Sequence, residues 1–233
     1  MLKALHAKLK AWQDRLGARF GTDISTPEAR RAAWWHFQLS DHAFLRVWWH
    51  NFHKVTPGLW RTNQPDPARF EAYAKAGARS VLNLRGPSGQ SFWLFEREAC
   101  KRLGLPMVDL NMSARRLPSR ATLLELAHLF RTLPQPILVH CKSGADRTGL
   151  AAALWLMLME NRPVAEASKQ LSLRYVHLSF GKTGILDHLL RYYAREEARS
   201  GIGFLDWVAT AYDPAEVTAS YARWQARGKE GAW

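Results

Sequence analysis

Apolar and polar positions along this chain switch between a helical and a strand period, and each switch marks an element. Near the start Leu2, Leu5, Leu9, Trp12 and Leu16 recur at helical spacing, with Lys3, Lys8, Lys10, Arg15 and Arg19 mostly off that stripe. This predicts a basic amphipathic helix. After the Thr56-Pro57-Gly58 break, Leu59-Trp60-Arg61 reads as a short strand. Asp66-Pro67 supplies a cap and an N1 proline for a helix that buries Phe70 and Tyr73 and stops near Gly77. Ser80 to Leu84 is a strand that Arg85-Gly86-Pro87 turns away from, Trp93 to Leu103 is a helix ended by Gly104, and Leu105 to Met112 is another strand. Ser119 caps a helix from Arg120 to Leu133. Four apolar or polar-tipped residues, Ile137 to His140, form a buried strand, and the apolar run from Leu150 to Met159 forms a core helix. Pro163 opens a helix to about Arg174, a further helix spans Ile185 to Arg199, and Asp213-Pro214-Ala215-Glu216 caps a last one carrying Val217, Tyr221 and Trp224.

Strands alternating with helices predict an α/β fold: a central, mostly parallel sheet flanked by helices. The loop between the strand ending at His140 and the core helix then lies at the carboxyl end of a central strand, where such sheets bind ligands. The expected organisation is a basic, Trp-rich helical extension over residues 1–54, a main domain over 55–200 and a helical C-terminal extension over 201–233.

Composition narrows the setting. With 47% hydrophobic and 23% charged residues the chain of 233 residues is a globular protein, and 33 Lys plus Arg against 20 Asp plus Glu give it a charge of +13. Such a surface attracts anionic partners without choosing among them, and no specific nucleic-acid motif accompanies it. Two cysteines make a disulfide framework improbable and a reducing compartment the expectation. Lys3, His6, Lys8 and Lys10 interrupt any leader-like apolar stretch, so the cytoplasm is the expected location. Six of the eleven Trp fall in the first 60 residues. Trp favours interfaces that are apolar on one side and wet on the other, so residues 1–54 either contact an anionic membrane surface, at its inner face, or form a helical cap over the main domain. His36, His42, His50 and His53 lack a matched Cys or carboxylate set, so no metal site is expected there.

The chemistry concentrates in His140-Cys141-Lys142-Ser143-Gly144-Ala145-Asp146-Arg147-Thr148-Gly149. A loop wrapped around a helix N-terminus aims several backbone N–H groups at one point, where the helix dipole also favours an anion. Such surroundings lower a thiol pKa from about 8.5 to roughly 3.5–7.5, which would make Cys141 a thiolate at neutral pH. Arg147 carries a planar fork that grips two phosphate oxygens, Thr148 can give its hydroxyl proton to the sulfur, and Gly144 and Gly149 permit close backbone approach.

This loop resembles the signature loop of the cysteine-dependent protein tyrosine and dual-specificity phosphatase superfamily, over a region from about Thr56 to Arg199. The resemblance implies a phosphoric monoester hydrolase in which Cys141 forms a cysteinyl-phosphate, while Arg147 and the N–H groups of Lys142, Ser143, Gly144 and Ala145 hold the phosphate oxygens. It implies no cofactor and no metal, because the loop and Arg147 neutralise the charge that a cation would otherwise meet. Many members take their general acid from a mobile loop before the Cys. Here Asp109 is the acidic residue nearest that distance, yet Val108, Leu110 and Met112 alternate around it as a strand. The loop itself holds Asp146, an arrangement similar to myotubularin lipid phosphatases and one group of secreted bacterial tyrosine phosphatases, so Asp146 is the first candidate acid and Asp109 the second. A carboxylate that braces Arg147 is the competing role for Asp146. Lys142 adds charge to the pocket floor, and Arg115 and Arg116 either recognise a second phosphate or form an exposed basic turn. A phosphorylated protein is the first expected substrate, and an anionic phospholipid or inositol phosphate is the alternative. Gly181-Lys182-Thr183-Gly184 resembles the tail of a nucleotide-binding loop but lacks the upstream glycine.

Overall fold

The computed structural model describes residues 20–227, so the predicted helix on Leu2 to Leu16 lies outside the described residues. Among the described residues five strands form one sheet: β1 (His53–Lys54), β2 (Leu59–Thr62), β3 (Ser80–Asn83), β4 (Met107–Asp109) and β5 (Ile137–His140), in the order β1-β2-β5-β3-β4. Only β1 runs antiparallel to its neighbour, and the other pairs are parallel. The α/β architecture expected from the alternating pattern is therefore the observed one.

Side-chain alternation explains why β2, β3 and β5 carry apolar residues at successive positions that face both ways. Leu59, Leu82, Ile137 and Val139 point into one core, and Trp60, Val81 and Leu138 point into another on the opposite face. A strand covered on both faces has no solvent side to mark with polar residues. Each fully buried aliphatic side chain here stabilises the fold by about 1.5–3 kcal/mol.

The helices are α1 (Pro27–Leu39), α2 (Pro67–Lys75), α3 (Ser91–Leu103), α4 (Arg120–Thr132), α5 (Asp146–Met159), α6 (Val164–Ala167), α7 (Ile185–Ser200), α8 (Phe204–Thr210) and α9 (Pro214–Ala226). The expected caps are in place: Asp66 accepts from the Arg69 N–H, Ser119 from Thr122 and Asp213 from Ala215. Helices α2 and α3 cover one face through Phe70, Tyr73, Ala99 and Cys100. The larger core on the other face gathers α4, α5, α7, α8 and α9. Because α5 is buried from Thr148 to Trp155, it is apolar all round rather than on a stripe. Phe37 and Ala33 of α1 pack on Phe95 of α3, which fastens this part of the N-terminal segment to the main body.

Three elements depart from the sequence reading. The helix expected from Pro163 to Arg174 shortens to α6 and two 3-10 turns, Ser168–Gln170 and Leu173–Tyr175. Here the Gln170 carbonyl turns to accept from Arg61, and Val176 adopts φ 60°, which a helix cannot continue through. The strand expected from Leu105 to Met112 pairs in ladder fashion only at Met107–Asp109. Helix α8, seven residues long, is too short to show a period of its own.

Register decides what meets at the sheet's carboxyl edge. Thr62 and Asn83 both pair with His140. The chain therefore leaves β2 at Asn63, β3 at Leu84 and β5 at Cys141 side by side.

Candidate active site

The loop Cys141–Ala145 connects β5 to the N-terminus of α5. Its carbonyls are tied back one after another by the surrounding body. The Gln64 N–H donates to Lys142 O at 3.2 Å, Asn51 Nδ2 to Ser143 O at 3.1 Å, and Arg61 Nη2 to Gly144 O at 2.8 Å. With the oxygens drawn outward, the Gly144 and Thr148 N–H groups turn to Cys141, as in a backbone nest for an anion, while the Ala145 N–H donates to Ser143 Oγ at 3.4 Å. Gly144 makes the turn with φ +71°, and a Cβ there would fall 2.7 Å from the Thr62 carbonyl oxygen. The position admits glycine alone.

Cys141 Sγ is buried, and burial by itself would raise its pKa. The Arg147 charge, the Thr148 hydroxyl and N–H and the Gly144 N–H outweigh that effect and lower it below the ordinary thiol value. Arg147 Nη1 reaches Leu84 O at a long 3.4 Å, and its buried Nε has no partner. A guanidinium with donors to spare at a helix N-terminus is prepared for an incoming oxyanion. The buried Thr148 hydroxyl likewise completes no hydrogen bond of good geometry, leaving its proton for the sulfur. Cys100 is a contrasting thiol: it lies in the other core and burial pushes its pKa up.

Beneath the loop, His140 Nε2–H donates to Glu96 Oε1 at 2.5 Å, and Glu96 also accepts from Gln64 Nε2 at 2.8 Å. Both His140 and Glu96 are buried, so this pair fixes the strand end that presents Cys141. Gln64 Oε1 accepts from Arg85 Nη1 at 2.9 Å, and Arg85 forks onto both oxygens of Asp41. Asp41 is buried and also meets Arg46 Nη2 at 2.6 Å and Lys142 Nζ at 3.5 Å. Burial would raise the Asp41 pKa, but Arg85, Arg46 and Lys142 hold it below the usual carboxylate range. Lys142 thus has a carboxylate partner from the N-terminal segment while part of its side chain stays exposed.

The two candidate acids sit in different settings. Asp109 lies on β4 with both oxygens occupied, Oδ1 by Asn83 Nδ2 at 2.6 Å and Oδ2 by Trp93 Nε1 at 2.9 Å. Asp146 opens α5 with Oδ1 on His177 Nδ1 at 2.8 Å, and no other hydrogen bond reaches it from the described residues. His177 Nε2 in turn donates to Asp187 Oδ2 at 2.7 Å. Arg115 and Arg116 line a cavity of about 560 Å³ together with Ser113, Ser119, Thr122 and Arg147. The loop Asn111–Ser119 and the guanidinium of the signature loop therefore face one space. Among the described residues no group of His, Cys, Asp and Glu has the arrangement of a metal site, and His36, His42 and His50 hydrogen-bond to protein oxygens instead.

Sequence reasoning did not single out Arg61, Glu96, Asp41, His177 or Asp187. Arg61 is buried on β2 and stacks 3.8 Å over the Tyr175 ring; burial lowers its pKa to about 10. An arginine in a strand buried on both faces is itself a signal, because such a charge persists only where carbonyls or carboxylates receive it.

A family model described as DSP-PTPase phosphatase fused to NAD+ kinase matches residues 52–183. The inositol diphosphatase DSP4 of Arabidopsis thaliana is 27% identical over 104 residues, covering 42% of this chain and 51% of that protein. The chain thus spans about half the length of this curated relative. The crystal structure of TpbA from P. aeruginosa shares the fold with a TM-score of 0.50 at 16% identity, over 74% of this chain and 91% of that one.

Proposed function

We propose that this chain, which belongs to the DSP-PTPase phosphatase family and so is a phosphoric monoester hydrolase, works through a cysteinyl-phosphate on Cys141. Sulfur attacks phosphorus in line while Arg147 and the loop N–H groups take the equatorial oxygens. Asp146 protonates the departing oxygen. Water then displaces the sulfur with Asp146 as base, and Thr148 eases release of the thiolate. The observation that carries this reading is the buried Cys141 thiol at the N-terminus of α5, beside the charge of Arg147, whose buried Nε has no partner. Removing one such preorganised donor costs about 2.7–4 kcal/mol of transition-state stabilisation.

Two substrate classes follow from the sequence: phosphorylated protein, and inositol or lipid phosphate. The cavity shared by Arg147, Arg115 and Arg116 favours a small molecule bearing a second phosphate near the scissile one. The name of the Arabidopsis relative, an inositol diphosphatase, supports the same choice. The test is kcat/KM on a panel of phosphopeptides, inositol polyphosphates and a simple aryl phosphate, with wild type and an Arg115→Ala/Arg116→Ala variant. The expected outcome is a loss of about 10-fold or more on inositol polyphosphates with little change on the aryl phosphate, one charge-assisted contact being worth roughly 1.5–3 kcal/mol. Phosphopeptides turned over best, with no effect of the two substitutions, would favour the protein substrate instead.

A lipid-borne phosphate is the second reading, favoured by the exposure of Phe44, Leu45, Val47 and above all Trp48, which is 92% exposed, beside the segment that reaches the loop through Asn51. On this reading the protein is cytoplasmic and peripheral at an anionic membrane surface. Sedimentation of the full chain with anionic vesicles should fall on Trp48→Glu, and unchanged sedimentation would contradict it.

A further inference from the structure

Behind Asp146 stand two further charged groups in a line, His177 and Asp187. His177 is buried and hydrogen-bonds through both ring nitrogens to carboxylates, Asp146 Oδ1 at 2.8 Å and Asp187 Oδ2 at 2.7 Å. An imidazole that donates from both nitrogens is an imidazolium. Its backbone is pinned as well, for the His177 N–H donates to Ser172 O at 3.1 Å. Asp187 is brought into place by the Lys182–Gly184 turn that opens α7. A Cβ on Gly184 would fall 2.0 Å from the Ser179 carbonyl oxygen and 2.8 Å from the Tyr221 hydroxyl, so the last glycine of the Gly-Lys-Thr-Gly run is a packing requirement of this turn. The groups facing the imidazole are Asp146 from α5 and Asp187 from α7, with Tyr221 of α9 lying beyond Asp187. The neighbouring His188 turns away to Ser220.

We propose that His177, held by Asp187, is a positioning residue that stores the catalytic proton and passes it through Asp146 to the leaving group. The inference rests on the cysteinyl-phosphate reading and assigns its proton. In the first half-reaction the proton on His177 Nδ1 moves to Asp146, and Asp146 gives it to the bridging oxygen as the O–P bond breaks and the S–P bond forms. Alcohol leaves, with His177 neutral and Asp146 a carboxylate. In the second, Asp146 takes a proton from the attacking water as the O–P bond to water forms and the P–S bond breaks. That proton returns to His177 Nδ1, and thiolate and inorganic phosphate are the products. A carboxylate beside a permanent cation would otherwise be a poor acid at neutral pH. Sharing one proton with an imidazole that can become neutral removes the difficulty. The two carboxylates outweigh the effect of burial and raise the His177 pKa to about 9, which keeps the store loaded at neutral pH.

The experiment is a leaving-group series on the full chain, from nitrophenyl phosphate to unactivated aryl and alkyl phosphates, with His177→Asn, Asp187→Asn and Asp146→Asn. Asparagine at 177 can still donate to Asp146 but cannot titrate, so a purely structural role would leave the series unchanged. Expected for His177→Asn is a loss that steepens along the series, smallest on nitrophenyl phosphate and about 10²–10⁴-fold on the least activated substrates, as when a general acid is removed. Asp187→Asn, which removes one of the two anions, should move the alkaline limb of the kcat profile to lower pH while the enzyme stays active. A series unchanged in His177→Asn protein that unfolds at the wild-type temperature would overturn the proposal, as would an alkaline limb that stays in place in Asp187→Asn. The underlying reading fails separately, if wild type hydrolyses none of these phosphates or if Cys141→Ser retains full turnover.

Discussion

Arg61 Nη2 donates to the Gly144 carbonyl oxygen across 2.8 Å, joining a buried strand to the middle of the signature loop. The same guanidinium donates to Gln170 O at 2.9 Å and to its side-chain oxygen at 2.7 Å. One arginine thus holds the anion nest and the turn that leads toward His177.

Replacing it should therefore damage stability and catalysis together. Arg61→Met leaves the Gly144 and Gln170 carbonyls without a donor, at about 1–3 kcal/mol each. The loop N–H groups lose their fixed aim, and kcat/KM on an aryl phosphate should fall by about 10-fold or more. Arg61→Lys should restore little, because an ammonium cannot fork between two directions. Urea unfolding and steady-state rates on the three proteins check this.

Asp41 gives a second prediction. It is the anion shared by Arg85, Arg46 and Lys142, and is itself buried. Asp41→Asn strands buried cations, a change that costs about 3–5 kcal/mol. Unfolding should show that loss. Protease cleavage in the native state should begin in the segment around α1, since Arg85 and Lys142 then no longer hold Asp41 onto the body.

Asp109 should behave as a structural carboxylate. Asp109→Asn replaces an acceptor of the Asn83 and Trp93 donors with a partial donor, lowering stability by about 1–3 kcal/mol. The dependence of rate on leaving group should stay as in wild type. A steepened dependence would move the acid from Asp146 to Asp109.

The strand-loop-helix core was legible because it is local. His140 to Gly149 is contiguous, and the glycines, Cys141, Arg147 and Thr148 announce an anion site within ten positions. The parallel sheet was legible from short, mainly apolar runs separated by capped helices. What the sequence hid is what the fold brings from a distance. Asp187 lies 41 positions after Asp146, and Asp41 lies 101 positions before Lys142, so neither has a spacing that marks it. Asp109 kept two readings in the sequence because its strand pattern and its distance from the Cys pointed different ways. Its two donors, Asn83 and Trp93, come from β3 and α3 and could be seen only once these pack against β4.

The thiol offers a prediction in pH. The Arg147 charge and the loop donors lower the Cys141 pKa, so its thiolate persists as pH falls below the ordinary thiol value of about 8.5. Inactivation by iodoacetamide should accordingly have its pH midpoint below that value. In Arg147→Ala, where burial is no longer opposed by that charge, the midpoint should rise. The linkage has the same sign: this thiolate stabilises the fold above the unfolded thiol pKa, and the contribution disappears as pH falls through the folded one. Cys100, whose pKa is raised, should remain unlabelled in the folded protein.

The central claim is tested most directly by quenching the enzyme in acid during turnover of an aryl phosphate and locating phosphate on its peptides by mass spectrometry. The account predicts a phosphate on the sulfur of Cys141, absent from Cys141→Ser, which should bind the aryl phosphate and not turn it over. Phosphate on another side chain, or turnover that survives the loss of this sulfur, would contradict it.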